Sequence, residues 1–330
     1  MIRLLPCFPV LLALVLLPGG NLYPGDLPNP RFETIDQLQD NGKLREAEAL
    51  LLQIEAAGTD SPEFYYQKGR LFLNRGDPEN ALLWIGKADS LDPENPRFLA
   101  TMGSAYGLKA ADAPLLEKPI LANKMTRLYR RAIELDPTHK EPWFGLIEYR
   151  LQAPPLFGGN RRKADKLAAE YRAINPYFGE LAHARIDFHD EDFEAALAHL
   201  DRAVGMNPDR RMGQFMRAVL ANNRGAYDVA WESLQSLLLH HPEDSAVIYQ
   251  VGKYAALSGR RLNRGQRALE SYLTFEERPN EPSHASAWWR LGMIFEHRNQ
   301  IEQARTAYQM AIRLDPRLEE PAALLQNLDP

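Results

Sequence analysis

The sequence predicts an all-α fold made of stacked helix hairpins, and three observations predict it. Apolar residues recur at spacings of three, four and seven, so each set forms one stripe along a helix. Gly and Asn stand where one stripe ends and the next begins, as hairpin turns require. The tripeptides Leu91-Asp92-Pro93, Leu135-Asp136-Pro137, Ile174-Asn175-Pro176, Met206-Asn207-Pro208 and Leu314-Asp315-Pro316 close successive segments in register. Proline cannot continue a helix, so each one ends a hairpin. A lone hairpin cannot bury its stripe, so the copies must stack.

The fullest copy runs from Pro282 to Pro316. Trp288, Leu291, Gly292 and Phe295 mark its first helix, with Gly292 leaving room for a neighbour. Asn299 marks the turn. Ile301, Ala304, Tyr308 and Ala311 mark the second helix, where small Ala permits close approach, and Pro316 the stop. This stretch resembles the tetratricopeptide repeat, a unit of about 34 residues. The resemblance implies a right-handed superhelical solenoid of about eight repeats spanning residues 31–316, with first helices lining a concave surface that holds peptides or partner proteins. The signature residues are packing residues, so they specify fold and carry no chemistry.

In chain order, Leu4 to Leu17 is apolar after Arg3 and ends at Pro18-Gly19-Gly20. At under ~20 apolar residues it reads as a secretory signal rather than a spanning helix. An exported, periplasmic or secreted chain is expected, with residues 1–20 removed or retained as an anchor, because Pro6 and Pro9 interrupt the run and an Ala-x-Ala site is missing. Cys7 is the one cysteine, which leaves a processed chain no disulfide. Residues 21–30, rich in Pro, Gly and Asn, read as a linker.

The first repeat keeps Ile35, Leu38, Gly42, Ala47, Leu51 and Ile54 but lacks an aromatic start, as a terminal cap does. The second, with Tyr65, Gly69, Phe72, Gly76, Ala81, Ile85 and Ala88, is nearly complete. The third reaches Tyr129 and Ala132 late, so Ala111 to Pro119 is expected as a loop between its helices. The fourth carries Ala153-Pro154-Pro155-Leu156-Phe157 as extra length, the fifth and sixth are regular, and the seventh adds residues between Ser258 and Gly265. Residues 317–330 read as a C-terminal capping helix. Insertions in such arrays fall on loops and often serve binding.

Composition narrows function. Of 330 residues, 45% are hydrophobic and 25% charged, and the net charge of −5 argues against nucleic acid, whose partners carry basic domains. Membrane contact is expected only through an uncleaved N-terminus. Gly-x-Ser-x-Gly, His-Glu-x-x-His, Gly-x-x-x-x-Gly-Lys-Ser/Thr and Gly-x-Gly-x-x-Gly are all missing from the sequence, so a protein that is not an enzyme and uses no cofactor is expected. His183, His189 and His199 near Asp187, Asp190, Glu191 and Asp192 fit no ligand spacing and read as a solvated acidic turn, not a metal site. His240-His241 reads as a helix end whose dipole favours cations.

Two candidate sites remain. By register, the resemblance places Tyr66, Arg70 and Asn74, Phe144 and Glu148, Phe178, Leu181, Arg185 and Phe188, Phe215 and Asn222, Tyr249 and Lys253, and Trp289 on the concave face. Exposed aromatics beside Arg, Lys and Asn would anchor and orient a peptide, though the same side chains could also fill the interior of a tightly wound superhelix. The second candidate is an anion site at Gly159, Asn160, Arg161 and Arg162. There, Gly158-Gly159 precedes a helix whose cationic first turn opposes the dipole, against the plainer reading of Asn160 as an N-cap with solvated Arg side chains. Arg260, Arg261, Arg264 and Arg267 form a looser example.

Overall fold

The computed structural model describes residues 30–279 and 281–328, and the expected signal segment, Cys7 and most of the expected linker lie outside them. The described residues fall into two compact units, 30–208 and 209–328. The first holds five hairpins: α1 (Pro30–Asp40) with α2 (Leu44–Ala56), α3 (Pro62–Asn74) with α4 (Pro78–Leu91), α5 (Pro96–Asp112) with α6 (Lys118–Leu135), α7 (Lys140–Gln152) with α8 (Arg161–Ile174), and α9 (Pro176–His189) with α10 (Phe193–Met206). The second holds three, α11 (Arg211–Asn223) with α12 (Tyr227–His240), α13 (Ser245–Ser258) with α14 (Leu262–Tyr272) and α15 (His284–His297) with α16 (Ile301–Leu314), and then α17 (Glu319–Asn327) packed on α16. The described residues contain no strand. No described helix is long and apolar enough to cross a membrane.

The helix boundaries follow from local chemistry. Ser61, Asp77, Asn95, Asn160, Asn175, Asp192, Asp244 and Ser283 cap helices by accepting from backbone N–H groups of the first turn. Pro62, Pro78, Pro96 and Pro176 sit in first turns, where their missing N–H costs nothing. Asn175 does two jobs at once. It ends α8 and its side chain caps α9 at Phe178 N (3.2 Å), so the two helices meet without a loop.

Packing explains the small residues. Ala81, Ala230 and Ala304 are fully buried on the second helices. Tyr129 of α6 lies between Gly103 of α5 and Gly145 of α7, and an added Cβ would meet its ring at 2.6 Å and 2.4 Å. One aromatic therefore joins its own hairpin to the next, because both backbones lack side chains there. Within each unit every first helix also touches the following first helix, α1 to α3 through α9 and α11 to α15, forming a first-helix face.

The insertions are smaller than expected. Ala111 to Pro119 is not all loop. Here α5 continues to Asp112 and α6 starts at Lys118, because Pro119 is tolerated in a first turn. The fourth-repeat insertion forms a 3₁₀ turn at Pro155–Phe157, with Gly158 at φ +101°. Leu115, Leu116 and Leu156 stand exposed on these two insertions, and Ile120 in the first turn of α6. In the turns between paired helices Gly42, Gly76 and Gly225 take positive φ, whereas Glu191 (+62°) and Asn299 (+56°) do so with a side chain.

Candidate functional site

The first-helix face of residues 30–208 is built from α1, α3, α5, α7 and α9. Tyr66 packs on Phe98 with centroids 5.0 Å apart, and the Arg97 guanidinium lies 4.6 Å from its ring. Arg70 donates to Asp40 (2.9 Å) and to Asp36, both on α1. Asn74 donates to Gln39 (3.0 Å). Phe144 and Phe178 meet edge to face at 6.3 Å, and Tyr171 of α8 stacks on Phe178 at 5.8 Å and on Trp143 at 5.1 Å. Arg185 grips Glu148 with two parallel bonds, Nε to Oε2 at 2.8 Å and Nη2 to Oε1 at 2.5 Å. Leu181 is fully buried, and Phe188 lies on Phe193 at 5.6 Å.

In residues 209–328 the face comes from α11, α13 and α15. Phe215 lies under the Arg211 guanidinium (4.9 Å), Asn222 donates to the Gln250 carbonyl (3.3 Å), Tyr249 packs on Tyr272 (5.1 Å), and Lys253 reaches Asn223 (2.6 Å). Trp289 is covered by the Arg290 guanidinium at 3.7 Å.

The expectation of exposed aromatics is corrected by these positions. Tyr66, Phe144, Phe178, Phe215 and Tyr249 are all buried, as are Arg70, Glu148, Arg185 and Asn222. Neighbouring hairpins approach closely enough to cover this row. Asn74, Phe188, Lys253 and Trp289 stay partly accessible. Some buried polar atoms on the row lack a hydrogen-bond partner: Arg185 Nη1 in the first unit, Asn222 Oδ1 and Trp289 Nε1 in the second.

The Gly159, Asn160, Arg161 and Arg162 arrangement also differs from expectation. The N–H groups of Gly158, Gly159 and Asn160 donate to Pro155, Pro154 and Arg150 carbonyls, which leaves none of the three for an anion. Asn160 caps Lys163 (3.0 Å), and Arg161 pairs with Asp190 (2.5 Å) and Asp165. Arg162 is exposed.

In the histidine cluster Asp190, Glu191 and Asp192 are exposed at the turn, whereas His183 and His199 are half-buried and His199 meets a buried carboxylate outside the cluster, Glu180. Glu180, whose side chain is fully buried, accepts from His199 (2.6 Å) and Arg202 (2.8 Å) and pairs with Arg172 (2.8 Å). Burial works to raise the Glu180 carboxyl, but Arg202, His199 and Arg172 outweigh it and hold the pKa below its ordinary value. His183 stacks on His199 at 5.2 Å, and burial, then His199 and Arg172, push its pKa down. Burial pushes Asp40 up to about 6 against the pull of Arg70. Among the described residues no group of His, Cys, Asp and Glu could hold a metal ion.

Asp36, Asp40, Glu180, Arg172 and Arg202 were not legible as members of the site. A usable signal existed in opposite charges one repeat apart: Asp36 and Arg70 are 34 residues apart, Glu63 and Arg97 are 34, and Glu148 and Arg185 are 37.

Stacked hairpins with first helices aligned on one face define a helical-repeat scaffold, a class that binds protein partners. Residues 33–96, 181–245 and 255–319, more than half of the chain, match the tetratricopeptide repeat, and the chain belongs to that family. It is 24% identical over 130 residues to the general transcriptional corepressor ssn6 of Schizosaccharomyces pombe, covering 39% of this chain and only 11% of that protein. Solved structures with a similar fold include Cut9 in the APC/C hetero-tetramer Cut9-Hcn1, with a TM-score of 0.57, 13% identity, and coverage of 91% of this chain and 55% of the other. Yeast Tom70 aligns with a TM-score of 0.56 and 13% identity over 95% of this chain and 66% of its own. Human IFIT1 with PPP-AAAA aligns at 0.53 and 17% over 91% and 74%.

Proposed function

We propose that this chain is a non-catalytic adaptor outside the cytoplasm that holds an extended peptide or protein segment on a first-helix face. The observation that supports this most is the pair of unpartnered polar atoms, Asn222 Oδ1 and Trp289 Nε1, on the first-helix face of residues 209–328. A buried polar atom without a partner costs about 1–3 kcal/mol, and the N–H and C=O groups of an extended backbone are suited to remove that cost. Partly accessible Trp289 supplies apolar contact in the same unit. The location rests on the apolar run Leu4 to Leu17 and is checked by N-terminal sequencing of the protein recovered from cells.

The test is selection of peptides from a random display library by the full chain, followed by affinity measurement with Trp289→Phe. This variant keeps the ring and loses only the N–H. Weakening of about fivefold, the effect of one ordinary hydrogen bond, is expected with an unchanged melting temperature. Failure to select any peptide, or equal binding by the variant, would sink the proposal.

A second reading, an architectural subunit of an envelope assembly, is favoured by exposed Leu115, Leu116 and Leu156 on the two insertions, with Ile120 exposed at the start of α6. The Cut9 neighbour is itself part of a hetero-tetramer with Hcn1. Under this reading a fixed partner co-purifies with the chain and is lost on Leu116→Asp with Leu156→Asp, while the Trp289→Phe chain retains it.

A further inference from the structure

An open cavity of about 270 Å³ lies between α6, α7 and α8, floored by Leu146 and Leu167. Arg130, Arg150, Lys163 and Lys166 line it, opposed by Glu170 alone. Four cations against one carboxylate is an uncompensated charge in a chain that is acidic as a whole. The carboxylate is spoken for in part, since Glu170 faces Lys166 at 3.8 Å.

Arg150 is held by neutral groups. Its Nη1 donates to the Gly158 carbonyl (2.5 Å) and its guanidinium lies 5.3 Å from the Tyr149 ring, so it is fixed in place with its charge intact. Lys163 stands in the first turn of α8, a turn without an acidic residue, where a cation opposes the helix dipole. Arg130 projects exposed from α6 on the other side. Three helices thus converge like charges on one concavity. Repulsion of that kind is relieved by a multiply charged anion, and planar guanidinium groups match phosphate oxygens. The volume falls just under the roughly 300 Å³ at which sites for drug-sized ligands begin, so it suits a compact group.

We infer that this cavity binds a multiply charged phosphate group, either free as a small anion such as pyrophosphate or as the headgroup of an anionic phospholipid. It uses α7 side chains other than Phe144 and Glu148 of the first-helix face, and the glycine turn enters only as the support of Arg150.

Isothermal titration of the full chain with inorganic pyrophosphate in low-salt buffer tests it. Saturable one-site binding is expected, weakened at least tenfold in Arg130→Ala with Lys163→Ala and unchanged in Arg313→Ala, a control at an exposed cation of α16. Circular dichroism of the double variant should match the parent, because both side chains are exposed. Flotation with phosphatidic acid vesicles distinguishes the sources: binding to vesicles that pyrophosphate competes away assigns a lipid headgroup, and binding to free pyrophosphate alone assigns a small anion. Absence of saturable binding at millimolar pyrophosphate, equal binding by the double variant, or equal loss in Arg313→Ala would overturn the inference.

Discussion

Arg185→Ala separates a structural role for the buried pair from one confined to ligand contact. The Arg185 and Glu148 side chains are 5% and 8% exposed, so neither can turn to water when its partner is lost. Removing the guanidinium leaves Glu148 with only the Gln152 side-chain amide as donor. Breaking a buried pair from one side costs about 3–5 kcal/mol, whereas an apolar pair of similar volume is neutral or better. Arg185→Ala should therefore lose about 3 kcal/mol or more, and Glu148→Met with Arg185→Met should recover most of it. Urea unfolding by circular dichroism gives the totals. Hydrogen exchange shows whether the loss is confined to α7 and α9 and their neighbours, as nearest-neighbour stability requires. A loss under about 1 kcal/mol for the single variant, or a double variant no better than the single, would refute the reasoning.

Glu191→Gly should stabilise by about 0.5–1 kcal/mol, because the residue sits at φ +62° where a side chain is strained; a lower melting temperature would count against this. Ala230→Leu should destabilise by about 1–3 kcal/mol through overpacking at a fully buried helix crossing, and an unchanged melting temperature would show that the crossing has room. Acid should weaken the fold in two stages. The pKa of His183 is depressed in the folded state, so its contribution is present above its unfolded value of about 6.5 and lost as pH falls below it, and Glu180 follows below about 4.5. Asp187 and Asp40, both raised by burial and Asp40 to about 6, work in the opposite sense as pH falls. Both chains share the Asp40 contribution, so between pH 7 and 5.5 the melting temperature of the parent should drop relative to that of His183→Gln, and parallel curves would refute the His183 contribution.

The repeat boundaries were readable because their causes are local. Asn95, Asn175 and Pro176 act on the next three residues, and Asn299 meets its left-handed turn within one hairpin. The status of Tyr66, Phe144 and Phe215 was not readable, since a side chain on a helix face is covered or bare according to how closely the next hairpin approaches. That distance is set elsewhere, by pairs such as Gly103 and Gly145 around Tyr129. Ion partners such as Glu180 with Arg172 and Arg202 come from three helices, and no short window of sequence contains them. The glycine turn misled for a different reason. A Gly-Gly pair before a helix start implies free N–H groups, but Arg150, Pro154 and Pro155 supply carbonyls that use them.

The ion pairs between first helices join residues only about one repeat apart, 34 for half-buried Asp36 with Arg70 and 37 for buried Glu148 with Arg185, which bears on how the chain finds its fold. Each such contact closes a short loop, and the entropy of closure grows slowly with length, so no single slow search dominates. Within residues 30–208, folding can start at any hairpin with a complete interface and spread outward by zippering. Evolution meets the same geometry: a hairpin added or lost at the edge of a unit disturbs one interface and leaves the ion pairs further in intact.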